Sequence, residues 1–460
     1  MKKRILIYGI GTFFSKILVF MMVPIYTRVF STSDFGYYDV LISDMQMIVS
    51  IAFVEIWSGI IRFMFEDEDR FSPIKTMLRM IPVLMALYAG GVFILSFIFE
   101  IKYPVVTIIY GIMYLLFSVS NSICRGLEHN TRYVISGLIS TLVSCTLSIV
   151  FAVALHLGIQ YLLVAQSIGY ALAVGYVELT TKAYRRAIRS TYREGSIKEM
   201  SKYCIPLMMN SFSFLFLGTY NKNIIISQLG ENLSGIYAYV GKFSAIVAVL
   251  LSVYALAWQE QAFISANSDN REEQYSHYLN EFIKLIGLGI PVYIMVCIIF
   301  SPLFGGSNYY NSEIYIPLAI LGGYISNFSG VISTVIAVKK KTNFILYSTA
   351  IGAIINVIIA TLTIRSYGIN ASALSLCISF GVTAMLRYYF AKKDFDLKLQ
   401  WGYFVLMIIE TISIFVGINT IGSRMSINLG ASMVVLTIWL LINKNSIISV
   451  ISSIKNKTRR

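Results

Sequence analysis

Charge is what this sequence has least of. Asp, Glu, Lys and Arg make up 13% of the 460 residues, hydrophobic residues make up 57%, and mean hydropathy is +0.72. Soluble domains carry about 25% charged residues, so a water-soluble enzyme or nucleic-acid-binding domain is excluded despite the formal net charge of +14. Cysteine is also scarce. Cys124, Cys145, Cys204, Cys297 and Cys377 stand singly in or beside apolar segments with no CxxC spacing, which argues against disulfides and thiolate metal sites. His129, His156 and His277 are isolated, so no metal cluster and no cofactor are expected. No GxxxxGK[ST] motif occurs, which argues against direct ATP hydrolysis. Long polar loops are missing on one side of the chain: the longest there, near Pro302–Glu313, holds one acid and no base. A membrane transferase or polymerase, which needs such a loop for its catalytic groups, is therefore only an alternative reading.

What the chain does have is apolar runs of about 20 residues, each long enough to cross a bilayer core of ~30 Å. The pattern predicts an all-α polytopic membrane protein with about fourteen spans: 5–30, 37–62, 76–99, 104–124, 133–156, 159–181, 203–229, 235–261, 280–301, 314–337, 343–364, 369–390, 401–421 and 426–443. The apolar run after Met1-Lys2-Lys3-Arg4 is too long for a signal peptide and reads as the first span. Alternate loops differ sharply in basic residues. One set holds Lys2–Arg4, Arg70, Lys75, Arg125, Arg132, the run Lys182–Lys202, Arg271, Lys339–Lys341, Lys392, Lys393, Lys398 and the C-terminal tail. The other holds little beyond Lys102, Arg365 and Arg424. The positive-inside rule then puts both termini on the cytoplasmic side, with the basic loops near anionic lipid.

The most basic linker, 181–198, is the natural boundary and is able to form an interfacial amphipathic helix. Beyond it the chain resembles its own start. Shifted by 199 positions, FSTSDFGYYDV (30–40) lies over LGENLSGIYAY (229–239), pairing Gly36 with Gly235 and Tyr38 with Tyr237. The expected organisation is an N-terminal six-helix lobe (1–181), a basic linker (182–202), a second six-helix lobe (203–390) and an extra helix pair with a basic tail (391–460). Parallel repeats of this kind form one transporter plan, with the site between the halves. Ionisable residues at membrane depth default to a functional role. Here they concentrate in corresponding helices of the two halves: Lys16, Arg28, Asp39, Asp44 and Glu55 in the first, Lys222, Lys242 and Glu260 in the second. Elsewhere Glu178 and Glu410 are the clearest. Pro24 and Pro206 interrupt two of the charged helices.

The pattern SKILxFxxxPIYTRxFSxxDFGYYD at 15–39, with IRFMFE at 61–66, resembles the N-terminal signature of Wzx-type O-antigen and capsule repeat-unit flippases. These belong to the multidrug/oligosaccharidyl-lipid/polysaccharide exporter superfamily. The stretch YCIPLMMNSFSFLFLGTYNKNIIISQLG (203–230) with GIYAYVGKFSAI and AWQEQAF resembles the second-half signature, and RGLEHNTRYVISGLIS (125–140) a cytoplasmic turn of the same group. Many such relatives carry an acid–base pair where this chain has Asn221–Lys222.

The resemblance implies a MATE-like fold of two pseudo-symmetric six-helix bundles plus an extra pair. It also implies a multi-pass flippase of the bacterial cytoplasmic membrane. Such a flippase moves an undecaprenyl-diphosphate-linked oligosaccharide by alternating access. A polysaccharide polymerase and a chain-length regulator are possible partners; nucleic acid is not. A diphosphate headgroup needs cations at low dielectric, and Lys16, Arg28, Lys222 and Lys242 are those available. Asp39, Asp44, Glu55 and Glu260 either balance these cations or bind a coupling ion, and Lys242 beside Asp44 is equally readable as a structural ion pair. Arg28 is also able to snorkel to the interface. Tyr26, Tyr38, Tyr220 and Tyr237 suit an interfacial aromatic belt or stacking on sugar rings. A drug exporter of the same superfamily stays open as an alternative; the glycan and any coupling ion do not follow from the residues.

Overall fold

In the computed structural model, residues 14–66, 68–98, 101–265, 268–339 and 341–421 are described, and every long element among them is an α-helix. Residues 14–21 are helical and pass through Met22 into α1 (Val23–Val29), so the expected first span is stepped just before Pro24. α2 (Thr32–Ala52) opens on Ser31, whose hydroxyl accepts the Asp34 amide at 3.0 Å, with Asp34 itself in the first turn. Both features suit the positive end of a helix. α3 (Ile56–Glu66), α4 (Ser72–Ile98), α5 (Pro104–Gly126), α6 (Asn130–Ile149), α7 (Gln160–Thr181) and α8 (Ala183–Arg189) follow. α9 (Ser196–Leu229), α10 (Glu231–Ile264), α11 (Arg271–Phe304), α12 (Ile316–Val338), α13 (Thr342–Tyr367), α14 (Ile369–Lys392) and α15 (Trp401–Ile421) complete the order. The chain falls into two compact units, Met1–Asn223 and Ile224–Arg460.

Nine helices among the described residues are long and apolar enough to cross a bilayer, and the bent pair α2–α3 makes a tenth. The count of fourteen is therefore not reproduced. The expected span 426–443 and the first residues of span 5–30 lie outside the described residues. α9 is 34 residues long, but Asn210, Ser211, Ser213, Thr219, Asn221, Lys222 and Asn223 make it unusually polar. The expected continuous helix 37–62 is broken. α2 and α3 meet at 50°, and Val54 and Glu55 sit in the left-handed region at φ 52° and 49°. Neither glycine nor proline marks the spot, which is why the sequence pattern ran straight through it.

Within the first unit, Tyr88 and Tyr110 are fully interior, and α6 packs closely on α7: a Cβ at Gly169 would lie 2.6 Å from the Ser140 carbonyl oxygen. α4 turns Val83, Leu87, Phe93, Ile94 and Phe97 outward. So large an exposed apolar face suits lipid, not water. In the second unit α12 is buried along most of its length. Tyr324 and Phe328 stack against Phe282 and meet Phe404 at a tilt, and the Trp258 indole donates to the Val331 carbonyl at 2.9 Å.

Candidate functional site

Asp39, Asp44 and Glu55 gather along the contact of the broken helix with α9. Lys222 Nζ lies 2.6 Å from Asp39 Oδ2, and both side chains are largely shielded, at 24% and 10% exposure. The same ammonium donates to Ser43 Oγ at 2.6 Å, and Ser43 in turn donates to the Asp39 carbonyl at 2.8 Å, one helical turn back. One residue on, Asn223 Nδ2 donates to Asp44 Oδ1 at 2.6 Å and to the Thr219 carbonyl at 3.2 Å. An ammonium has three N–H donors; two are taken here, and the third has no protein acceptor among the described residues.

Further along α9 toward its start, Ser211 donates to Glu55 Oε1 at 2.7 Å. Ser211 and Lys222 are eleven residues apart, roughly 16 Å at 1.5 Å per residue. The two helices run antiparallel, with α2 gripping the end of α9 near Lys222 and α3 gripping its beginning. There Phe63 meets Tyr203 edge-on at 5.9 Å, and a Cβ at Gly59 would lie 2.5 Å from Cys204 Sγ. Glu55 sits at the bend between them. Asp44 and Glu55 thus both meet α9, through Asn223 and Ser211, but not on one continuous helix: the left-handed residues at 54 and 55 interrupt the register between them.

The other expected site residues fall elsewhere. Arg28 is exposed in the last turn of α1, its Nη1 3.5 Å from the Pro24 carbonyl, and Lys16 is exposed on the helical stretch before α1. Lys242 is half-buried on α10 in the second unit. The side chain of Glu260 lies outside those described. Tyr38 corrects an expectation: its ring is buried inside the first unit, edge-on to Tyr26 at 6.5 Å and hydrogen-bonded by Gln166. It is not available to stack on a sugar. Tyr220 lies 5.5 Å from Phe216, and Tyr237 is half-buried on α10. Among the described residues no three His, Cys, Asp or Glu side chains gather as a metal site would need.

Sequence reasoning missed Ser43, Ser211 and Asn223, the neutral partners of the charged groups. Their signal was present in the polar run Asn221-Lys222-Asn223 of the expected span 203–229. The carboxylate absent at position 221 is supplied from α2 by Asp39.

A family model described as polysaccharide biosynthesis protein matches residues 1–258, more than half of the chain. The chain belongs to that family. It is similar in structure to the lipid II flippase MurJ in an inward closed conformation, with TM-score 0.68 and 15% identity over 96% of this chain and all of that one. An inward-facing multidrug resistance MATE transporter of the MOP superfamily matches with TM-score 0.65 and 12% identity over 82% of this chain and 94% of the other. A MATE protein in complex with MaL6 matches with TM-score 0.61 and 14% identity over 85% and 96%. No curated protein matches the chain. At such identities the likeness shows the fold alone, one shared with the MurJ and MATE structures, and the apolar helices mark a multi-pass membrane protein.

Proposed function

We propose that this protein is a flippase for a lipid-linked oligosaccharide of the undecaprenyl-diphosphate type, a repeat unit of O-antigen, capsule or another surface glycan. It would work in the bacterial cytoplasmic membrane by alternating access, with the basic loops and both termini on the cytoplasmic side. The observation that carries the reading is Lys222. This shielded cation on α9 has one N–H without a protein acceptor among the described residues, in a family whose members serve polysaccharide biosynthesis. A diphosphate carries negative charge that must be met at low dielectric, where a charge-assisted hydrogen bond is stronger than in water. Lys222 supplies that contact, with Arg28, Lys16 and Lys242 as further cations along the route. Asp39 and Asp44 keep the lysine charged between cycles, and Glu55 is the candidate for a coupling proton or ion. A polymerase and a chain-length regulator are the partners such a transporter would serve.

The test is export of surface glycan from cells whose only copy carries Lys222→Met together with Asp39→Asn, which removes the ion pair without leaving either charge alone. Export should fall at least tenfold at normal protein level, with lipid-linked intermediate accumulating inside. Undiminished export would remove the assigned role. Unchanged drug susceptibility in a deletion strain, alongside lost glycan, separates the flippase from a drug exporter of the same fold.

A further inference from the structure

The short helix α8 is held at both ends by other elements. Its opening amides, Tyr184 N–H and Arg185 N–H, donate to the two carboxylate oxygens of Glu178 on α7, at 2.9 and 3.3 Å. Its last carbonyls receive Lys75 of α4: Nζ donates to Ile188 O at 3.2 Å and to Ser190 O. On the inner face Ala183 and Ala187 are fully buried and Tyr184 Oη bonds Ser120 Oγ at 2.9 Å. Just beyond, the Arg79 guanidinium stacks 3.6 Å over the Tyr192 ring, and Arg186 lies 5.6 Å from the ring of Phe71. Seven residues do not hold a helix alone; these clamps do.

What the clamps present is a basic stripe with an apolar residue in it. Lys182, Arg185 and Ile188 follow one another at i, i+3 spacing with Arg189 beside them, all exposed, Ile188 at 67%. Lys182 and Arg189 have no side-chain partner among the described residues. α8 starts two residues after the end of α7, a 22-residue span whose last turn exposes Leu179 at 76%, so the stripe lies at the level where a bilayer's headgroups begin. A rigid helix showing cations around an exposed isoleucine is complementary to anionic headgroups with acyl chains beneath them.

We propose that α8 is a built docking site for anionic phospholipid of the cytoplasmic leaflet. It recognises phosphate through Lys182, Arg185 and Arg189 and is seated by Ile188 and Leu179, with Glu178 and Lys75 as positioning residues. It rests on the cytoplasmic sidedness given above and on no assumption about the transported glycan.

The discriminating variant is Glu178→Ala, which adds one net positive charge to this surface while removing the cap that orients it. Purified protein in detergent is titrated with phosphatidylglycerol, with phosphatidylcholine of the same chains, and with inorganic phosphate, and the melting temperature is followed. Phosphatidylglycerol alone should raise it. Glu178→Ala and the triple variant Lys182→Gln/Arg185→Gln/Arg189→Gln should each lose more than half of that rise, and native mass spectrometry should show fewer bound phosphatidylglycerol molecules. Diffuse charge attraction predicts the opposite for Glu178→Ala, a rise equal to wild type or larger, and that result would overturn the proposal. So would an unchanged triple variant, or an equal response to inorganic phosphate. Labelling of Thr191→Cys from inside or outside the cell checks sidedness separately, and glycan export reads the transport reading independently of both.

Discussion

Arg387 shows how a cation is kept inside this protein without a carboxylate. It is 8% exposed, and its guanidinium donates to Ser329 O and Oγ, both at 2.9 Å, to Ser348 Oγ at 3.1 Å and to Thr349 Oγ1 at 2.8 Å. A planar fork of donors reaches two neighbouring helices at once, α12 and α13, which a lysine does not reproduce. Arg387→Lys should therefore lower stability by about 2–3 kcal/mol, the scale of charged hydrogen bonds lost without replacement, as read by denaturant titration in micelles. Lys222 behaves differently, because its partner is charged. Lys222→Met alone strands Asp39 and should cost about 3 kcal/mol, whereas adding Asp39→Asn should restore most of that loss. The charges themselves were legible in the sequence, since any ionisable group in an apolar run stands out. Their neutral partners were not, because a serine or asparagine is common in membrane helices and only the fold selects those that meet a charge. Arg387 escaped notice although it lies within the expected span 369–390, only five residues before Lys392 and the basic loop.

Between α2 and α3 the backbone does something no propensity scale anticipates. A β-branched residue, Val54, and an acid, Glu55, both take left-handed angles, and the Glu55 amide reaches back to Ser50 O at 3.1 Å, five residues earlier. Left-handed geometry costs an ordinary residue roughly 1–2 kcal/mol, but Val54 also packs against the core of the first unit. In Val54→Gly the relieved strain should therefore roughly offset the lost packing and leave the melting temperature little changed, where glycine within a helix normally lowers it. A large fall would mean the bend is not strained. The opposite logic governs Gly169. Its missing side chain lets α7 approach the backbone of α6, and Gly169→Leu should force those helices apart and prevent recovery of folded protein, with Gly137→Leu, where a Cβ meets open space, as the tolerated control. Most helices were legible from hydropathy, and α15 begins at Trp401, where its expected span begins. The break in the second span was hidden because tertiary contacts, Glu55 with Ser211 and Phe63 with Tyr203, stabilise it and local sequence does not.

For the molecule as a whole, the alternation of basic and neutral loops makes a testable map. Cysteines introduced at Thr191 and at Tyr310, which is 65% exposed, should label from opposite sides of the membrane, the first from the cytoplasm. The fold class was readable because it rests on apolar periodicity spread over hundreds of residues, while a substrate depends on a few contacts that periodicity does not encode. The pairing of Lys222 with Asp39 also bears on the transport cycle. On the function proposed above, a phosphate reaching that ammonium would meet a resident rival anion on the same nitrogen, so what the carrier would feel is the difference between two attractions and not the whole of one. Capture is thereby weakened and discharge hastened, as a cargo that must be let go on the far side requires. On this view Asp39→Asn should hold a diphosphate lipid more tightly in a binding assay and yet deliver it more slowly.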